Sequence, residues 1–134
     1  MIIWTNGCFD ILHRGHLELF KYARSLGHNL VVGIDSDRRV KASKGDPRPI
    51  NSQEDRKRML EAIRYIDKVV IFDDDEGLKK AIEESTIHTM VVGSDWEGKK
   101  VIGANLVTCV VFFNRMSGYS TTHLIEKIND GICV

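Results

Sequence analysis

Two histidines stand three residues apart around a glycine, in His13-Arg14-Gly15-His16. Three residues are close to one helical turn, so both imidazoles can point at the same anion. An apolar opening, Ile2-Ile3-Trp4, precedes the motif and reads as a strand. Leu17, Leu19, Phe20, Ala23 and Leu26 follow at helical spacing. The histidines therefore sit where a strand hands over to a helix N-terminus, the place where α/β proteins hold phosphate. In the connecting Gly7-Cys8-Phe9-Asp10, Gly7 lets the backbone approach a phosphate without a side-chain clash. Cys8 reads as a small apolar filler. The chemistry that such groups suit is the bracing of charge during phosphoryl or nucleotidyl transfer.

Other candidates lie far away in sequence. Lys41 and Lys44 fall in a loop with Gly45, Pro47 and Pro49, and one of them suits a phosphate. Arg64, near the end of the next helical stretch, fits either a helix-dipole partner or a ligand for an acceptor. Asp95-Trp96 fits a base or ribose contact, or plain packing. Gly118-Tyr119-Ser120-Thr121-Thr122 opens the last helix, where hydroxyls and N–H groups can cap the helix, hold a triphosphate, or do both. The acidic run Asp73-Asp74-Asp75-Glu76 reads as a solvated helix N-terminus, not a metal site. No other residues suggest a protein-bound metal.

The elements that must position these groups alternate along the chain. Strands are expected at Ile2 to Thr5, Leu30 to Ile34, Val69 to Phe72, Met90 to Gly93 and within Val107 to Phe113. Helices are expected between them, one capped by Asn51 or Ser52, and a closing one from Thr121 to Ile128 with Leu124, Ile125 and Ile128 inward. Continuous apolar strands alternating with helices indicate α/β architecture: a Rossmann-like domain over residues 1–134, with a five-stranded parallel sheet covered on both faces. Ligands bind such sheets beyond the carboxyl ends of the strands. The polar residues that follow the first, second, fourth and fifth strands should therefore converge on one edge.

Composition restricts the partners. The 134 residues carry 19 Lys+Arg and 19 Asp+Glu, so the net charge is zero, which argues against broad nucleic-acid or membrane binding. No apolar run approaches the roughly 18 residues that span a bilayer. Cys8, Cys109 and Cys133 form no zinc pattern and suit reduced thiols in the cytoplasm. Neither G-x-G-x-x-G nor a P-loop sequence occurs, which disfavours simple dinucleotide binding.

Gly7 to His16 and Gly118 to Thr122 together resemble the H-x-G-H and S-T-T signatures of the cytidylyltransferase-like nucleotidyltransferases. The resemblance runs from Thr5 to about Ile128. Within the family, Lys44-Gly45-Asp46-Pro47-Arg48-Pro49-Ile50-Asn51, Glu54-Asp55-Arg56 and Val101-Ile102-Gly103-Ala104 are similar to the adenylyltransferase domain of bacterial heptose-phosphate enzymes. Gly93-Ser94-Asp95-Trp96-Glu97-Gly98-Lys99 is more similar to glycerol-3-phosphate cytidylyltransferase.

The resemblance implies transfer of a nucleotide from a nucleoside triphosphate, ATP favoured, to a sugar phosphate such as heptose 1-phosphate. Pyrophosphate leaves, and the product serves nucleotide-sugar and cell-envelope glycan synthesis. The alternatives are CTP with glycerol 3-phosphate, and an inactive nucleotide-binding module. His13, His16 and Lys44 would be catalytic. Gly7, Cys8, Phe9, Asp95, Trp96, Arg115, Tyr119, Ser120 and Thr121 would bind the nucleotide. Asp10, Lys41 and Arg64 would bind the acceptor, Asp10 by orienting it or a metal-bound water. Mg²⁺ would arrive with the triphosphate, and a homodimer is expected.

Overall fold

The computed structural model describes residues 1–114 and 118–131. The elements run β1 (Ile2–Gly7), α1 (Arg14–Ser25), β2 (Asn29–Asp35), α2 (Asp37–Lys44), α3 (Gln53–Glu61), β3 (Lys68–Phe72), α4 (Asp75–Glu84), β4 (Thr89–Gly93), β5 (Cys109–Phe113) and α5 (Thr121–Gly131). Short 3₁₀ turns cover Ser94–Trp96 and Ala104–Leu106. All five strands pair in parallel, in the order β3-β2-β1-β4-β5. This is the Rossmann-like α/β sheet expected from the alternating pattern.

Strand side chains alternate between the two faces, and both faces are buried. Ile3, Leu30 and Val32 pack with Phe20 and Ala23 of α1 and Leu60 of α3. Trp4, Val31 and Met90 pack on the other face with Leu78, Ala81 and Ile82 of α4. Each fully buried aliphatic or aromatic side chain stabilises by about 1.5–3 kcal/mol. Gly33 is dictated by this packing: a Cβ there would come 2.4 Å from Cζ2 of Trp4. The indole instead lies across the strand, and its N–H donates to Oδ1 of Asn6 at 2.9 Å.

Three expectations about elements resolve. The segment read as a loop around Lys41 contains α2. Its single buried apolar residue, Val40, leaves no amphipathic period to see, and capping supplies the start: Ser36 Oγ accepts from Arg39 N at 3.2 Å. The acidic run does open a helix, because Asp74 Oδ1 accepts from Gly77 N at 2.7 Å and caps α4. Ile128, expected inward on α5, is 53% exposed, while Leu124 and Ile125 are half-buried. Among the described residues, no helix is long and apolar enough to cross a membrane.

Candidate active site

A cavity of about 480 Å³ opens at the carboxyl ends of the strands, with walls from β1, β2, β4 and β5. It lies over the boundary between β1 and β4, where the chain switches from winding one way to the other.

His13 and His16 line it. Their rings stack with centroids 3.7 Å apart and planes 19° from parallel. His13 precedes the first turn of α1, and its backbone N–H donates to Nδ1 of His16 at 3.3 Å. Nδ1 of His16 is thus an acceptor, so a neutral ring carries its proton on Nε2 and donates from there. Phe9 meets His16 edge-on at 5.2 Å and seats the ring from below. Gly15 makes the stack fit: a Cβ there would come 2.9 Å from the His13 ring and 3.0 Å from Cβ of Tyr119. The glycine between the histidines therefore lets α5 close over α1.

Gly7 lines the cavity, and its own packing gives a further reason for a glycine. A Cβ on Gly7 would come 3.2 Å from the Phe9 ring, so the missing side chain admits the motif's own phenylalanine. Phe9 itself holds a left-handed backbone, at φ 48°. A bulky residue in that region is strained, which is common where a loop is shaped for a ligand. Cys8 is half-buried, and burial pushes its thiol above the ordinary value despite nearby Arg56 and Lys44. It is therefore a protonated filler at neutral pH. Cys109 is also a free thiol, and Cys133 lies outside the described residues.

The β2 side of the cavity is rich in charge. Asp10 is 3% exposed. Its carboxylate accepts from Arg48 Nε at 3.0 Å, Ile50 N at 2.7 Å and Asn51 N at 2.9 Å. Asp10 lines the cavity, with its carboxylate engaged in the protein. Both carboxylate oxygens tie the 48–51 loop to the histidine motif. Arg48, carried on that loop, lines the cavity with Lys44. Its buried Nη2 has no hydrogen-bond partner among the described residues. Lys44 ends α2 and is exposed.

Arg56 was not singled out by its residue type or spacing, yet it organises this half. It is 1% exposed and donates to the carbonyls of Cys8 (2.9 Å), Asp35 (2.8 Å) and Asn51 (3.0 Å), and to Asp37 Oδ1 (2.9 Å). One guanidinium thereby fixes the ends of β1 and β2 and the starts of α2 and α3. Only its place in a run that resembles a family hinted at this, since its partners lie up to 48 residues away.

On the β4 side, Trp96 and Lys100 reach the cavity beside Val101 and Ile102. Lys100 was not singled out in the sequence, and Arg48 appeared there only within the run that resembles the heptose-phosphate enzymes. Tyr119, Ser120, Thr121 and Thr122 close the cavity at the start of α5. Ser120 Oγ accepts from His123 N at 2.9 Å and caps the helix. Thr121 Oγ1 donates to the carbonyl of Ile11 at 2.7 Å, stitching α5 to the histidine motif. The Thr121 hydroxyl proton is thus engaged in structure, whereas Ser120 accepts through its oxygen and keeps its O–H as a donor beside the backbone N–H groups of this helix start.

Three expected residues do not line the cavity. Lys41 sits one turn before Lys44 on α2 and is exposed. Asp95 is exposed on the 3₁₀ turn whose next residue, Trp96, faces inward. Arg64 is corrected outright: it follows α3 just before β3 begins, at the opposite edge of the sheet from the cavity. Arg115 lies outside the described residues.

Comparison with known proteins places the chain among relatives. The family model of cytidylyltransferase-like proteins matches residues 4–127. The bifunctional protein HldE of Campylobacter fetus is 47% identical over 127 residues, covering 95% of this chain and 28% of that protein. HldE of Wolinella succinogenes is 44% identical, over 95% of this chain and 27% of its own length. The chain therefore spans little more than a quarter of these relatives. A crystal structure of the lipopolysaccharide core biosynthesis protein from Thermoplasma volcanium superposes with a TM-score of 0.67 at 25% identity, covering 90% of this chain and 98% of that one. A protein of unknown function from Archaeoglobus fulgidus shares the fold at 19% identity and a TM-score of 0.64, over 90% of this chain and 94% of that one. The family match over residues 4–127 and the identity to HldE proteins show that the chain belongs to the cytidylyltransferase-like family of nucleotidyltransferases.

Proposed function

We propose that this chain transfers a nucleotide from a nucleoside triphosphate, with ATP favoured, to a sugar phosphate such as heptose 1-phosphate, releasing pyrophosphate. The observation that carries the reading is the stacked His13–His16 pair, in one cavity with the start of α5 and with Lys44. The likeness to HldE proteins supports a heptose phosphate as acceptor, and the likeness to a lipopolysaccharide core biosynthesis protein supports a role in cell-envelope glycan synthesis.

The chemistry follows from the groups present. An oxygen of the acceptor phosphate attacks the α-phosphorus, and the bond to the β-phosphate oxygen breaks in line. The acceptor is already anionic, so no covalent enzyme intermediate and no strong base are required. The protein supplies position and charge. His13 and His16 donate to the α/β-phosphate region as charge moves to the leaving group. Lys44 neutralises the approach of two anions. The N–H groups that open α5 receive the β- and γ-phosphates, with Arg115 assigned to the same task. Trp96 and Ile102 offer a flat apolar wall to the base, and Tyr119 flanks the histidines. The described residues gather no cluster of three or more His, Cys, Asp or Glu groups suited to a metal. A Mg²⁺ ion would arrive with the triphosphate and take its ligands chiefly from the phosphates, whose charge it offsets.

A second reading, CTP with glycerol 3-phosphate, is favoured by Trp96 within Gly93-Ser94-Asp95-Trp96. Pyrophosphate release with ATP and with CTP, each against heptose 1-phosphate and glycerol 3-phosphate, tests both. Turnover with ATP and heptose 1-phosphate is expected. Turnover only with CTP and glycerol 3-phosphate selects the second reading. Nucleotide binding without release under any pairing indicates an inactive binding module.

A further inference from the structure

The cavity wall at the end of β2 carries a carboxylate that the chemistry above leaves unused. Asp35 lines the cavity with 23% of its side chain exposed. Its Oδ1 accepts from Arg39 Nε at 2.9 Å. Arg39 is itself anchored from behind: Nη2 donates to Asp75 Oδ1 at 2.9 Å, and the guanidinium lies 5.2 Å from the centre of the Phe72 ring. The carboxylate is thus fixed in direction. No donor among the described residues reaches Oδ2. Burial pushes the Asp35 pKa above its ordinary value, so the ionised form is short of donors.

The surroundings limit what can supply the missing donor. Arg39, Arg56 and Lys44 all lie close enough to act on Asp35 electrostatically, so a cationic ligand would be repelled. A phosphate would be repelled by the carboxylate itself. A neutral donor, a hydroxyl, suits it. Asp35 also stands on the Lys44 and Arg48 side of the histidines, whereas the flat wall of Trp96 and Ile102 lies across β1, over β4. The hydroxyl therefore belongs to the phosphorylated acceptor and not to the nucleotide.

We propose that Asp35, locked by Arg39, accepts a hydrogen bond from a hydroxyl of the acceptor, and so selects a polyhydroxylated phosphate ester. The inference rests on the nucleotidyl-transfer reading.

The test compares wild type with Asp35→Ala and with Asp35→Asn, which retains shape should the alanine variant fold poorly. Calorimetry measures Kd for inorganic phosphate and for whichever of heptose 1-phosphate and glycerol 3-phosphate binds wild type more tightly. Steady-state pyrophosphate release gives KM for the nucleotide. Asp35→Ala should weaken the ester about tenfold to hundredfold, the span of a hydrogen bond to a charged group. Asp35→Asn should weaken it less. Inorganic phosphate affinity and nucleotide KM should stay within about twofold. Equal weakening of ester and inorganic phosphate would overturn the proposal, as it would mean that Asp35 merely positions the cations. A rise confined to nucleotide KM would assign the hydroxyl to the ribose and overturn it too. Ester binding to wild type without pyrophosphate release would sink the transfer reading alone. If neither ester binds wild type, both fall.

Discussion

Four oxygens from the loop after β1, from β2, from α2 and from the loop before α3 converge on Arg56 at one side of the cavity, all within 3.0 Å. Across the cavity, Trp96 is 45% exposed and Tyr119 is 38% exposed. The β2 half is thus held by a buried charge network, and the β4 half presents side chains on short turns. A network of this kind fixes geometry before any ligand arrives, which suits groups that must align a reacting phosphate. Exposed aromatic side chains can settle on a base with little cost to the fold. The contrast predicts that damage to the Arg56 network appears in stability, damage to the aligned histidines in kcat, and damage to the second half in nucleotide KM.

The largest effect should come from Arg56. Arg56→Met strands three carbonyls and Asp37 without their donor. Removing one partner of a buried charged network typically costs about 3–5 kcal/mol. Urea unfolding should show a loss of that order. A loss below about 1 kcal/mol would mean that the two halves are not built differently. Next comes His16→Ala, expected to lower kcat by at least about 10² while the unfolding midpoint stays near wild type. Near-normal kcat would remove the histidine pair from the chemistry. Trp96→Ala should act more weakly and in another parameter. Loss of stacking on a base corresponds to roughly a fivefold to tenfold rise in nucleotide KM, with kcat within about twofold. A fall in kcat instead would show that the β4 half is also aligned for reaction.

Most of the sheet was legible because apolar β-rich runs are a local signal. Ile2-Ile3-Trp4, Leu30 to Ile34 and Val69 to Phe72 each announce a strand. The convergence of Lys44, Trp96 and Ser120 on the histidines was also legible, because a parallel sheet sends every following loop to one edge. Helix α2 was not, since Val40 alone is buried and Ser36 does the capping. Charged roles were the least legible. Asp10 in a reactive-looking loop binds backbone 40 and 41 residues away, and no spacing rule reports such a partner. Arg56 lies within α3 and Arg64 follows its end, and those eight positions carry the chain from the network beside the cavity to the start of β3. Gly15 was flagged for its place between two histidines, but only the packing of Tyr119 explains why a side chain is excluded there.

The smallest expected effects concern two aspartates that should answer pH with opposite sign. Asp73, at the surface, is pulled below its ordinary pKa, first by the Arg38 side chain and then by Ser36. The unfolded chain therefore binds its proton more readily than the native one. Its stabilising contribution is complete above the ordinary aspartate range and is lost as pH falls through the lowered native value. Asp35, in the cavity, is pushed up by burial against the pull of Arg39. Here the native state binds the proton more readily, so its contribution is complete below the ordinary range and is lost as pH rises through the raised native value. Asp73→Asn should thus be slightly destabilising at pH 7, with the difference from wild type closing under acid. Asp35→Asn should improve relative to wild type as pH rises from the acid side to neutrality. Thermal unfolding of the three proteins from about pH 3 to pH 7 measures both differences. A stability gain at neutral pH together with weaker acceptor binding would identify Asp35 as a residue kept ionised for its ligand at the expense of the fold. Parallel pH curves for wild type and Asp35→Asn would show instead that burial leaves no net penalty on the cavity carboxylate.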